Sequence, residues 1–127
     1  MRMIATVLIV LISLLHFYIA WFEIFAWTTR GPAVFSTLAP ELFEPTIALA
    51  ANQGIYNAFL AAGLLWSVVI RDKEWSTHVG TCFLLFVAVA GVFGAATVEL
   101  RIMFIQTVPS VIAMVLLQLG QSRARAQ

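Results

Sequence analysis

Charge is what this chain most conspicuously lacks. Only 10% of its 127 residues are Asp, Glu, Lys or Arg, against 62% hydrophobic, and the mean hydropathy is +0.99. A soluble domain of this size exposes much of its surface and needs far more polar side chains. Cysteine is almost missing too: Cys82 stands alone, which excludes an intramolecular disulfide and a cysteine-based zinc cluster. A formal net charge of +1 provides no basic footprint for nucleic acid. The chain carries no nucleophile elbow, phosphate-binding glycine loop or dinucleotide fingerprint. Histidine occurs only as His16 and His78, which fall towards opposite ends of the apolar runs. His16 and Glu23 are seven residues apart on one run, too far to hold an ion between them alone, so no metal site is expected.

What is present in quantity is apolar sequence in membrane-length runs, and a helix needs about 20 such residues to cross the hydrocarbon core. Four spans are predicted, at 4–27, 46–70, 76–98 and 102–119, within a single transmembrane domain covering 1–127. The first run is too long for a signal-peptide core and is followed by aromatic residues, not a small-residue cleavage site, so it is read as retained. Between 28 and 45 the pattern breaks at Gly31, Pro32, Pro40 and Pro45, which predicts an interfacial loop with a short helical turn from Pro40 to Phe43. Pro45 suits the first turn of the next helix, where its missing N–H costs nothing. "VELR" alone separates the last two spans and forces them into a hairpin. Backbone groups in lipid must pair within each span, so the expected fold is all-α, an integral membrane four-helix up-down-up-down bundle. In the third span the pairs Ala90/Gly94 and Gly91/Ala95 are spaced for close helix contact.

Lysine and arginine set the orientation. Arg2, Arg71, Lys73, Arg123 and Arg125 collect on one side against Arg30 and Arg101 on the other, which places both termini in the cytoplasm. Trp21 and Trp27 then mark the outer aromatic belt.

Against this background "AANQGIYNAF", residues 50–59, is anomalous: Asn52, Gln53, Tyr56 and Asn57 fall at the outer end of the second span. At about 1.5 Å per residue, Glu23 and His16 on the first span, seven residues apart, share one face and the same half of the membrane. Gln106 and Thr107 lie about one turn below Arg101 on the fourth. If these faces turn inwards they line a cup opening outwards, with His16, Glu23, Trp27, Asn52, Gln53, Tyr56, Asn57 and Gln106 as candidate ligand-binding residues. Each has a plainer role: His16 as a neutral helix-to-helix bond, Glu23 as a boundary residue, the amides as interhelical ties, Trp27 and Tyr56 as packing or belt residues.

The stretches "HFYIAWFEIFAW", "ALAANQGIYNAFLAAGL" and "GVFGAATV" resemble the DUF1304 family of small four-helix bacterial membrane proteins, whose activity is unknown. By that resemblance His16, Glu23, Trp27, Asn52, Gln53, Gly54, Tyr56, Asn57, Gly94 and Gln106 match the family pattern, which implies membrane topology and not a chemistry. A looser topological similarity is to the membrane glutathione-transferase and eicosanoid superfamily. The chain lacks that superfamily's arginine- and glutamate-rich second-helix motif, so only homo-oligomer formation is carried over.

The leading functional expectation is binding of a small amphiphilic or lipid-like molecule, in contact with the bilayer and with no cofactor specified. The alternatives are an isomerase- or transferase-type enzyme, with His16 and Glu23 as catalytic candidates, and a structural or accessory subunit. Transport is disfavoured because the polar track stops near mid-membrane.

Overall fold

The computed structural model describes residues 1–125, with side chains to 122. Among the described residues every regular element is helical and none is a strand. Helix α1 spans Arg2–Phe25, the short α2 Trp27–Val34, α3 Ile47–Val69, α4 Lys73–Thr97 and α5 Val108–Arg125. Three stretches, Arg2–Phe25, Lys73–Thr97 and Met103–Ser122, are long and apolar enough to cross a membrane. Helix α3, at 23 residues, is also long enough, extending about 35 Å. It is absent from that trio because Asn52, Gln53, Tyr56 and Asn57 interrupt its apolar front half.

The expected boundaries hold to within a few residues, with two differences. The first span does not run through Trp27: α1 stops at Phe25, Ala26 leaves the helical region at φ −128°, and Trp27 opens α2. The loop expected at 28–45 is therefore partly helical. Pro32 lies inside α2, where it forgoes a bond to the Thr28 carbonyl, and the last turn closes through Phe35 N–H to the Gly31 carbonyl at 2.8 Å. Two 3₁₀ turns follow, Pro40–Leu42 and Glu44–Thr46, the former at the predicted place. The second difference is that the fourth span opens with a π turn, Met103–Thr107, in which the Val108 N–H reaches back to the Met103 carbonyl. Pro109 explains it. Its ring has no N–H and collides with the carbonyl of Ile105 in a regular helix, so the preceding turn widens.

Helix α1 packs against α3 and α5, and α4 against the same two. The α1–α3 pairing is antiparallel: Ser13 Oγ donates to the Ala61 carbonyl at 2.8 Å, while further along Ala20 lies against Gly54. Near the amino terminus Arg2 lies against Gly120 of α5, so a Cβ built there would stand 3.2 Å from the Arg2 backbone N. Ala5, Ile9, Ile12, Leu64, Leu84, Val87, Ala113 and Leu117 form the apolar core at this end. Outward faces carry Leu11, Leu14, Phe59, Val89 and Phe93, all large and exposed. A continuous apolar exterior of this kind is costly in water and favourable in lipid. Lipid offers no hydrophobic drive between helices, so cohesion rests on close packing and cross-helix bonds.

Candidate functional site

Above the apolar core lies a polar layer. Gly54 makes it: a Cβ there would sit 2.7 Å from Ile24 Cγ1 and 3.0 Å from the Ala20 carbonyl oxygen, so only glycine lets α1 and α3 approach this closely. At that seam the amide of buried Asn57 donates to Glu23 Oε2 at 2.7 Å, with a weaker second donation to the Gln53 carbonyl at 3.4 Å. Asn57 and Glu23 were both expected to belong to the site, and they meet directly.

His16 is completely buried. Its Nδ1 lies 2.8 Å from the Ile12 carbonyl, and since a carbonyl only accepts, Nδ1 carries the hydrogen. In the neutral ring Nε2 is then an acceptor. Among the described residues that Nε2 has no partner, and neither does the Oγ of fully buried Ser110 on α5. The α1–α3 register sets His16 beside Asn57. Counting from the Arg2–Gly120 contact at 1.5 Å per residue, His16 is level with about residue 106, and Ser110 lies about 6 Å towards the Arg2 end. Two unsatisfied buried polar groups on facing helices, one layer apart, are unusual in a packed protein.

The other candidates divide. Gln106 is half-buried in the π turn, with its Cβ against Gly91 of α4. Beside it the Thr107 hydroxyl donates to the Ala88 carbonyl at 3.0 Å. Gly91 and Gly94 thus serve the α4–α5 hairpin within the chain, Gly94 packing on Ile102. Trp27 joins an aromatic cluster with Phe22, Phe35 and Phe43, its ring centroid 5.0 Å from that of Phe43. Its indole N–H donates to Thr46 Oγ1 at 2.9 Å. Phe43 fills the space above Gly31, so the 28–45 segment folds down as an aromatic plug. Arg101 ties this end together by bonding the Val34 carbonyl and pairing with Glu99 at 2.8 Å. Asn52, Gln53 and Tyr56 face outward and are exposed.

In the same half of the molecule a groove of about 450 Å³ opens between α4 and the start of the last helix, lined by Ala88, Val89, Val92, Phe93, Ala96, Thr107 and Val111. None of the eight expected ligand residues lines it. Sequence reasoning passed over Ser110, although its spacing with Gln106, Ala113 and Leu117 marks one face of a helix. Among the described residues no group of three or more metal-ligating side chains occurs.

These features define a helical protein with membrane-length apolar helices and a buried polar layer in one half. The chain belongs to the family described as Protein of unknown function (DUF1304), whose model matches residues 10–118 and so takes in His16, Glu23, Asn57 and Gln106. It is similar to Uncharacterized protein YpaA of Lactococcus lactis subsp. lactis (strain IL1403), 25% identical over 117 residues, covering 91% of this chain and 97% of that protein. No solved structure matches.

Proposed function

We propose that this protein is a four-helix, up-down-up-down inner-membrane bundle, with both termini in the cytoplasm, that binds a small amphiphilic molecule in the outer half of the membrane. The observation carrying this reading is the Nε2 of His16, fully buried and without a hydrogen-bond partner. Leaving such a group unpaired costs about 1–3 kcal/mol, which a ligand hydroxyl or amide recovers on binding. On this reading the apolar part of the ligand occupies the α4–α5 groove, whose lining reaches Thr107 and Val111, the neighbours in sequence of Gln106 and Ser110. Mostly apolar walls with a few convergent polar groups suit such a molecule. The Glu23–Asn57 bond at a tight helix seam supports a second, purely structural reading of that pair.

The binding reading is tested by mass spectrometry of molecules that co-purify in mild detergent, comparing the native chain with His16→Gln. Binding predicts a defined small molecule on the native protein that is lost from a variant still folded and monodisperse. A native protein that carries nothing but bulk lipid counts against it. If His16→Gln simply unfolds, His16 is a structural tie.

A further inference from the structure

At the opposite end of the helices a second site is built from residues that the outer-half reading does not use. A cavity of about 190 Å³ lies where the start of α1 meets the end of α3 and the start of α4. At about 30 Å³ per water that is the space of roughly six waters, room for a compact anionic group together with a few waters. Its wall carries Arg2, Arg71 and Lys73 together with the hydroxyls of Thr6, Ser67 and Ser76, and among the described residues no acidic one lines it. Ile9 and Leu117, from the apolar core, form its floor.

Arg2 is held in place but not neutralised. Its guanidinium donates to Thr77 Oγ1 at 3.2 Å, Gln121 Oε1 at 3.3 Å, the Lys73 carbonyl at 3.3 Å and Ser76 Oγ at 3.0 Å, all neutral oxygens. The frame behind it is rigid, since Ser76 Oγ donates onward to the Ser67 carbonyl at 2.8 Å. Arg71 and Lys73 stand exposed at the rim, free to close over an anion. Neither neighbouring acid is among the residues that line the cavity. The Asp72 carboxylate caps α4 by accepting from the Trp75 N–H at 2.8 Å, and Glu74 is engaged in an interaction of its own. The four bonds of Arg2 use its Nη hydrogens, so it offers an anion its charge and its Nε–H while Arg71 and Lys73 supply the remaining donors. Several cations around one space suit the several oxygens of a phosphate better than a single carboxylate. Basic pockets between helix ends at the cytoplasmic surface are where lipid head groups bind.

We propose that this cavity is a phosphate-binding site, with Arg2 as the fixed anchor and Arg71 and Lys73 as the closing arms. The same chemistry fits an anionic phospholipid head group or a free phosphate, and the sources separate experimentally. The full chain in mild detergent is titrated with phosphatidylglycerol, phosphatidylcholine or inorganic phosphate while its thermal unfolding midpoint is followed. Phosphatidylglycerol is expected to raise the midpoint by a few degrees and phosphatidylcholine to leave it unchanged. In the Arg71→Gln/Lys73→Gln variant the apparent affinity falls roughly tenfold or more. Arg101→Gln, which removes a cation from the other end, leaves it unaltered. A shift with phosphatidylglycerol alone assigns the lipid head group; a shift with inorganic phosphate as well assigns a free phosphate. No shift with either, or an equal shift in every variant, overturns the site. Native mass spectrometry of the unmutated chain gives a check independent of variant folding: equal retention of both lipids, with no phosphate adduct, also overturns it.

Discussion

Asn57 and Glu23 meet at 2.7 Å across the α1–α3 seam, and the two ends of that bond fail differently. Removing the amide strands a half-buried carboxylate, whereas replacing Glu23 by glutamine still leaves an oxygen to accept. Bonds to charged groups in water-soluble proteins contribute about 1.5–3 kcal/mol. Between membrane helices measured couplings average about 0.6 and reach about 1.7, because the unfolded chain in lipid also finds partners. The membrane figure governs here, so Asn57→Leu should lower the unfolding free energy in micelles by about 1 kcal/mol and Glu23→Gln by clearly less. Equal losses in a denaturant titration would remove the bond as the cause. Asn57 was legible in the sequence as an amide in an apolar run. Its pairing with Glu23 was not, because a partner 34 residues away depends on how two helices are rotated and slid against one another. Asn52, Gln53 and Tyr56 show the same gap: Asn52 and Tyr56, five and one residues from Asn57, turn away from the seam, and Gln53, four residues from Asn57, lies at the exposed flank of the same face.

Helices α1 and α3 owe their close approach to Gly54, and the glycines of this chain are not equivalent. A Cβ at Gly54 meets the backbone carbonyl of Ala20 at 3.0 Å as well as Ile24, so relief requires moving a helix. A Cβ at Gly94 meets only the Ile102 side chain, at 3.1 Å and beyond, which can turn aside. Gly54→Ala should therefore cost about 1–3 kcal/mol, and Gly94→Ala distinctly less. The ranking is checked by unfolding midpoints of the two variants in one detergent, and the reverse order would refute the seam argument. At this scale the long helices were readable from their apolar runs, and the Pro40 turn from its proline. The short α2 was not: Gly31 and Pro32 read locally as breakers, yet packing of Phe43 into the space above Gly31 holds the turn helical. The π turn had a local sign in Pro109, but its consequence, Thr107 reaching the Ala88 carbonyl, appears only once α4 is beside it.

For the whole molecule the exposed apolar exterior and the uneven placement of cations make one joint prediction. A reporter fused to the carboxyl terminus should signal from the cytoplasm, following Arg2, Arg71, Lys73, Arg123 and Arg125. The side chains of Arg123 and Arg125 lie outside the described residues, while Arg2, Arg71 and Lys73 share one cavity at the same end. A periplasmic signal would invert the orientation and put the cationic cavity outside. Buried polar groups occur in both halves and differ in pairing: Ser67, Ser76 and Thr77 at the Arg2 end are all hydrogen-bonded, and the unpaired groups of His16 and Ser110 lie beyond the apolar core.

Composition and apolar periodicity, taken alone, determined that the chain is helical, roughly where its long apolar helices run, and which polar residues interrupt them. Those properties depend on side-chain chemistry and on spacing along one segment, both of which a sequence carries. Tertiary structure decided the pairing of Glu23 with Asn57, the burial of His16 with one nitrogen unpartnered, the outward turn of Asn52, Gln53 and Tyr56, and the gathering of Arg2 with Arg71 and Lys73. Each depends on the rotation and register of one helix against another. Periodicity leaves these open, and contacts such as Gly54 on Ala20 and Arg2 on Gly120 set them.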